Sequence, residues 1–561
     1  MKRLYTFFAA MLSCASIFSQ EALKSTEEEY YDFLSLQGLV ERPTLGYRTL
    51  SDSEWTLTEE AKTADENVWK NNSLGSKWTA YEPAQKTDNF FTRGIDQSVK
   101  VKIYGPEWFN SYNTAAPYGQ NDGALWQGKG YNTSFTAGAR LEAYGLEATF
   151  KPQLSFSQNR EFDYIKPNYP SVDENNNFTI YNGKADTYGY YGVQYIDAPQ
   201  RFGDKAFFTY DWGDTEIRYT WHNLTAGIGT QTIWLGPAKI NPILHSNNAP
   251  SYPKIDFGLR KTKIGYLGEI EGRIWYGRLS ESQYFDNDST NDTNLITGMT
   301  ANWKPFNFAN LYFGGNIVSV EKWTGSLKQA ITSLNPKNYG SASSRNSWDA
   351  DKRLSFSIDY IIDKAGFEAY LEWGKNDHPR SIRDFFHYPY HTAAYTAGIV
   401  KTINFRKDFV GKILFEISNF ESSNNYGRIL PWTTSFFVHD QITQGYTNNG
   451  QWLGAGIGTG GRSQYLSFTL YYPKGNSSIF FQRQNPDLDY TWFVSDNSRM
   501  LSLLSFGITT QYYFNTNMNV FLELTGMCQT SEFIEHFQNE DKFKQEYIFN
   551  QNIKLGLKYN L

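Results

Sequence analysis

The chain has 561 residues, with 52 basic against 58 acidic side chains and a net charge of −6, so no broad positive face for a nucleic-acid backbone is expected. Mean hydropathy is −0.56, and after the N-terminus no apolar run approaches the ~20 residues of a membrane-spanning helix. Aromatic residues nonetheless make up 17% of the chain (40 Tyr, 41 Phe and 16 Trp). A transmembrane β-barrel reconciles these facts: lipid-facing side chains occupy only every second position, and aromatic girdles mark both membrane interfaces.

Lys2 and Arg3 precede an apolar run from Leu4 to Leu12, and small residues lead on to Ser19, the pattern of a secretory signal over residues 1–19. A lipoprotein signal with Cys14 as the lipidated residue competes, although Met11-Leu12-Ser13 match it poorly. Removing residues 1–19 takes away two positive charges and no negative ones; 52 against 58 becomes 50 against 58, a net −8. Only Cys528 then remains, so no intramolecular disulfide can form.

Residues 20–91 read as a small periplasmic helical domain. Glu27, Glu28 and Glu29 favour a helix start, and Tyr30, Phe33, Leu34 and Leu36 share one face, predicting a helix over 23–42 that Pro43 stops. Ser51-Asp52-Ser53-Glu54 offers a cap for a second helix running to Lys70.

From residue 92 the period becomes two. Phe135, Ala137, Ala139, Leu141 and Ala143 alternate with small or polar residues, turn at Tyr144-Gly145 and return through Leu146, Ala148, Phe150, Pro152 and Leu154. A second hairpin joins Leu354, Phe356, Ile358 and Tyr360 to Phe367, Ala369, Leu371 and Trp373 through Asp363–Gly366. A third joins Leu504, Phe506, Ile508, Thr510 and Tyr512 to Met518, Val520, Leu522 and Leu524. Long polar stretches such as 159–200 and 322–348 separate the hairpins, and Ile553, Leu555, Leu557, Tyr559 and Leu561 form a closing strand. Residues 92–561 are therefore expected to form an outer-membrane antiparallel β-barrel; at about 25 residues per strand and connection, it has roughly 18 strands. Without a repeat of 40–50 residues, a propeller finds no support.

Two segments are specific. Gln231-Thr232-Ile233-Trp234-Leu235-Gly236-Pro237-Ala238 continues to Leu244-His245-Ser246-Asn247-Asn248-Ala249-Pro250, and His439-Asp440-Gln441-Ile442-Thr443-Gln444-Gly445-Tyr446-Thr447-Asn448-Asn449-Gly450 precedes Leu453-Gly454. Together they resemble the Wzi family of capsule-assembly proteins, especially its Bacteroidota-type members. The family's Trp-Gly-Pro-Gly appears here with Leu235 inserted and Ala238 for the last glycine. Arg42-Pro43 with Tyr47-Arg48, and His391-Thr392 with Tyr395 and Gly398, add to the likeness, which spans essentially the whole mature chain. It implies a barrel closed below by its helical domain that binds capsular or exopolysaccharide at the cell surface, with no cofactor. A monomer in outer-membrane lipid is expected.

The candidate polysaccharide contacts are Asn247, Asn248, Arg380, Arg383, Trp432, His439, Asp440 and Tyr446. Asparagine amides both donate and accept, which suits sugar hydroxyls but equally suits loop backbone. Arg380 and Arg383 suit uronate or pyruvate carboxylates, with Trp432 and neighbouring rings to stack on sugars. His439-Asp440 has the composition of a base and its orienting carboxylate, but no nucleophile accompanies it and neighbouring strand residues face opposite sides. The glycines from Gly454 to Gly461 precede no helix, so they read as close backbone approach on a strand rather than a phosphate cradle. Pro389 between His387 and His391 forbids the helix that would align a metal pair. Substrate-specific channel and enzyme remain the rival readings, and an enzyme would need Ser, His and acid groups to converge.

Overall fold

A computed structural model describes residues 26–58, 78–83, 86–90, 92–163, 171–172, 178–179, 196–285, 291–306, 309–325, 329, 350–376, 389–390, 392–406, 408–421, 436–439, 442–488, 500–515, 517–537 and 540–560. Its body is a closed antiparallel barrel of 18 strands, each paired with its neighbour in sequence.

The first strands are β1 (Val99–Asn113), β2 (Gly130–Ala143), β3 (Leu146–Phe150 continuing as Gln153–Ser157), β4 (Phe207–Asp211 continuing as Glu216–Trp221), β5 (Leu224–Gly229) and β6 (Lys254–Lys263). Then come β7 (Glu269–Ser280), β8 (Thr293–Lys304), β9 (Asn310–Lys322), β10 (Ala350–Ile362), β11 (Phe367–Asn376) and β12 (Ala393–Arg406). The last are β13 (Phe409–Asn419), β14 (Arg462–Tyr472), β15 (Gly475–Asn485), β16 (Met500–Tyr513), β17 (Met518–Phe537) and β18 (Glu540–Tyr559). β18 closes on β1, pairing Ile553 with Tyr112 and Leu557 with Trp108. Beside that seam, Trp78–Tyr81 adds a short strand to β1.

The expected hairpins form in the expected register: Leu141 faces Ala148, Ile358 faces Leu371, and Ile508 faces Leu524. Period-two alternation explains why. In β10, Phe356, Ile358 and Tyr360 are exposed on the outer face, while Asp351, Arg353, Ser355 and Asp359 are buried within. Lipid covers the first set, and the interior supplies hydrogen-bond partners to the second. Tight turns occupy one end. Tyr144-Gly145 and His222-Asn223 both adopt positive φ at two successive residues, the geometry that matches the twist of a two-residue hairpin. Exposed rings gather at this end (Tyr266, Trp303, Phe306, Phe405, Phe514) and again near the opposite rim (Tyr112, Tyr131, Phe208, Tyr395, Phe549), as two girdles require. β17 and β18 are longer than the rest at 20 residues each, and they continue beyond the last β18–β1 pair at Asn552.

The N-terminal region departs from the expected domain. One helix, α1 (Thr26–Ser35), stops short of residue 42; Gly38 at φ 70° turns the chain, and Val40–Glu41 pairs with Thr56–Leu57. The expected second helix does not start at its proposed cap, because Ser51 and Asp52 are used elsewhere: Ser51 Oγ donates to Glu216 Oε1 at 2.7 Å, and Asp52 pairs with Arg260 and Arg273. Residues 59–77, which hold the rest of that stretch, lie outside the described residues. Residues 26–58 thus fill the tight-turn end of the barrel. Phe33 stacks on Tyr471 of β14 with ring centroids 3.8 Å apart, and Glu27 reaches Lys558 of β18 at 2.8 Å.

Candidate functional site

The two specific segments fold inward and meet inside the barrel. Trp234-Leu235 pairs with Tyr47-Arg48 of the N-terminal segment, and Ser246 N–H donates to Leu453 O at 2.8 Å. Ile233, Leu235, Ile243, Leu244, Phe437, Ile442, Tyr446, Leu453 and Ile457 share one apolar cluster with Trp275, Ile296 and Val318 of the wall. A barrel with polar inward faces thus gains a hydrophobic core from its own connections.

Carboxylates on the wall hold this stopper by its backbone. Glu416 of β13 accepts the N–H groups of Lys239, Ile240 and Asn241 at 2.7–3.2 Å. Glu372 of β11 accepts those of Ala238 and Ile243, at 2.9 and 3.0 Å. Glu271 of β7 accepts from Leu45, Gly46 and Tyr47 at 2.8–3.2 Å. Proline at 237 and 242 breaks regular pairing, so these amides face the wall instead of a ladder, and the wall's carboxyl oxygens satisfy them. The sequence signal was present but easy to pass over: Glu368 and Glu372 occupy the inward positions of a strand whose Phe367, Leu371 and Trp373 point out.

Two ion networks add to the hold. Arg42 bonds Asp32, Asp359 and Glu368 at 2.7–3.0 Å, and Lys239 joins Asp32 and Glu368 at 2.9 and 3.0 Å. Asp52 sits between Arg260 and Arg273, at 2.6 and 2.7 Å. Burial opposes its charge, yet Arg273 and Arg260 hold its carboxyl well below the ordinary carboxylate range.

The expected site residues fall into two groups. Arg380, Arg383, Trp432 and Asp440 lie outside the described residues. The other four belong to the stopper or its edge. Tyr446 is fully buried: its hydroxyl lies 2.9 Å from His245 Nδ1, its ring stacks on Phe437, and Arg353 sits 4.5 Å above it. His245 Nε2 lies 2.8 Å from the Tyr252 hydroxyl, which completes a Tyr–His–Tyr chain. Burial, aided by the charge of Lys254, brings the His245 pKa down to about 3. His439 Nδ1 accepts the Ile442 N–H at 3.2 Å, closing a local turn. Asn247 O accepts the Gly123 N–H at 2.7 Å; Asn248 Nδ2 donates to Trp452 O at 3.1 Å, and its Oδ1 accepts from Asn121 N–H at 3.2 Å. The glycine run 454–461 is loop, not strand, but its close approach is real: a Cβ on Gly454 would lie 2.3 Å from Ile243 O. Among the described residues no His, Cys, Asp and Glu group is placed to hold a metal.

Beside the stopper runs a polar chamber of about 630 Å³. It reaches from Phe162, Gln200 and Pro486 near the long connections to Glu29 and Asp32 on α1, with β13 to β18 as its outer wall. The connection 114–129 lines its inner side through Tyr118, Gln120, Asp122 and Gln127. Burial raises the Asp122 carboxyl to about 6. Sequence reasoning passed over this connection entirely.

No protein-family model and no curated protein sequence matches the chain. Among solved structures, it superposes on Wzi, described as an outer-membrane protein involved in group 1 capsule assembly in Escherichia coli and a carbohydrate-binding β-barrel. The TM-score is 0.58 at 8% identity, covering 98% of this chain and all of that one. The chain has the Wzi fold. The match runs over nearly the full length of both chains. Acinetobacter baumannii OccAB2 (TM-score 0.39, 12% identity, 84% of this chain and 99% of that one) and Pseudomonas aeruginosa OccK2 (0.38, 10%, 82% and 97%) share only a looser resemblance. At 8% identity the agreement with Wzi is one of architecture, so individual contacts rest on the geometry described above.

Proposed function

We propose that this protein is a non-catalytic outer-membrane anchor that binds capsular or exopolysaccharide and keeps it on the cell surface. The observation that carries the reading is the stopper: both specific segments and residues 26–58 are consumed in filling a Wzi-fold barrel, an arrangement suited to holding a ligand at its rim rather than passing solutes through. The α1 end faces the periplasm, and the long connections face outward. Arg380, Arg383 and Trp432 belong to those connections by their place in the sequence, and their chemistry suits acidic sugars and their apolar faces. A polymer repeats its epitope, so weak single sites suffice through multivalency.

The test is deletion of the gene, followed by measurement of capsule retained on cells against capsule shed into the medium. Loss of retention, restored by the wild-type gene and less well by an Arg380→Ala/Arg383→Ala/Trp432→Ala variant, is the expected result; equal retention with and without the protein sinks the reading. A substrate-specific channel is the second reading, favoured by the chamber that runs from the rim to α1. It requires stepwise ion conductance in planar bilayers, while the anchor reading requires little.

A further inference from the structure

The chamber beside the stopper has features that water-filled space between a plug and a wall does not need. Four polar atoms of one connection, Asn121 Oδ1, Trp126 Nε1 and both amide atoms of Gln127, are shielded from solvent and lack a well-formed hydrogen bond within the protein, although the Gln127 amide lies beside Asp122. Buried polar groups in folded proteins are nearly always satisfied. All three side chains line the chamber, and Gln127 is 3% exposed. The connection that presents them is itself well fixed: Gly123 N–H donates to Asn247 O at 2.7 Å, Gln451 Nε2 donates to Gly123 O at 3.1 Å, and Asn550 Oδ1 accepts from Ala115 and Ala116. Opposite them, β14 to β16 contribute hydroxyls and amides, among them Tyr465, Ser467, Gln482 and Thr509. Such groups both donate and accept, the capacity that a sugar ring's hydroxyls demand.

Charge narrows the ligand further. The lining carries six carboxyl groups against three lysines. Two of those lysines are already engaged by carboxylates, Lys554 by Glu523 at 3.0 Å and Lys239 by Asp32 at 2.9 Å. The third, Lys412, sits over the Tyr471 ring. A ligand with its own carboxylate would meet net negative potential here. The volume of about 630 Å³ falls within the roughly 300–1,000 Å³ usual for small-ligand sites.

We infer that the chamber is a second, internal glycan site, which takes a short uncharged stretch of oligosaccharide against Asn121, Trp126 and Gln127. It rests on the polysaccharide reading given above and divides the labour within it: the basic outer connections hold the acidic units of the polymer, and the chamber receives a neutral segment or chain end.

The experiment uses full-length protein in detergent. Tetrasaccharides from partial hydrolysis of the host's own capsule are separated into neutral and uronate-bearing pools, and each is titrated calorimetrically beside the intact polymer. The neutral pool binds wild type more tightly than the charged pool, and Gln127→Leu weakens it at least tenfold. Gln482→Met, on the facing wall and bonded to Ser463 rather than to the connection, weakens it as well, which guards against a folding defect at Gln127; both variants must retain heat-modifiable migration on gels. Polymer binding that is equal in wild type and both variants, with no variant-sensitive tetrasaccharide binding, overturns the chamber and leaves the anchor reading intact. Failure of wild type to bind either polymer or tetrasaccharide overturns both.

Discussion

Asp52 and Arg273 meet at 2.7 Å inside the barrel, although 221 residues separate them in the chain. Asp52 lies in the N-terminal segment and Arg273 on β7, so this bond ties the stopper to the wall. Both are almost fully buried, and Arg273 also needs Asp256 at 2.9 Å. Asp52→Ala removes one of the carboxylates shared by Arg260 and Arg273, which keep Glu147 and Asp256, so the loss is about 1.5–3 kcal/mol for each charged hydrogen bond. The expected outcome is release of residues 26–58 to limited proteolysis from the tight-turn end, with the barrel still folded. Unchanged protease resistance would show that the bond contributes little.

Glu416 and Glu372 together accept five backbone N–H groups of the inward segment. Replacing both by alanine removes five hydrogen bonds worth about 1 kcal/mol each and leaves the buried N–H groups unsatisfied. Hydrogen exchange of residues 236–243 then rises by orders of magnitude, and planar bilayers record a larger conductance than with the wild type. Slow exchange in the double variant would mean that apolar packing alone seats the segment.

His245 supplies the pH dependence. Its folded pKa of about 3 lies below the ordinary value of about 6.5, so the unfolded chain binds the proton first. Its contribution is complete above pH ~6.5 and declines, as pH falls towards 3, by up to about 1.4 kcal/mol per unit. Thermal unfolding in detergent followed from pH 7 to 4 shows a falling midpoint, and His245→Gln flattens the profile. Equal slopes in the two proteins would refute the assignment.

Leu371 faces outward from the middle of β11 and is exposed. Leu371→Arg therefore costs about 2–4 kcal/mol in a bilayer, whereas a polar change at an outward connection costs little. Refolding into lipid vesicles against urea measures the difference.

The wall was legible in the sequence because its rule is local. Phe356, Ile358 and Tyr360 alternate with Ser357 and Asp359 whatever the rest of the chain does, and Tyr144-Gly145 is a turn by its own chemistry. The interior was not, because its partners are distant. Glu27, Asp32, Arg42 and Asp52 resemble the solvated face of a separate helical domain until Lys558, Glu368 and Arg273 are brought beside them. Tyr446 posed the same difficulty: nothing next to it in sequence announces His245, 201 residues away. The chamber could have been suspected from the Asn, Gln and Trp of residues 120–127, a polar cluster with no alternation to explain it.

The bond between Glu27 and Lys558 has a bearing on biogenesis. It links the first described helix to the final strand, and that strand is also the one that zips against β1. A cylinder that encloses its own leading residues cannot be sealed before they are seated. Glu27 precedes Lys558 by 531 positions, so the helix is synthesised long before its partner and stays without it in the interval.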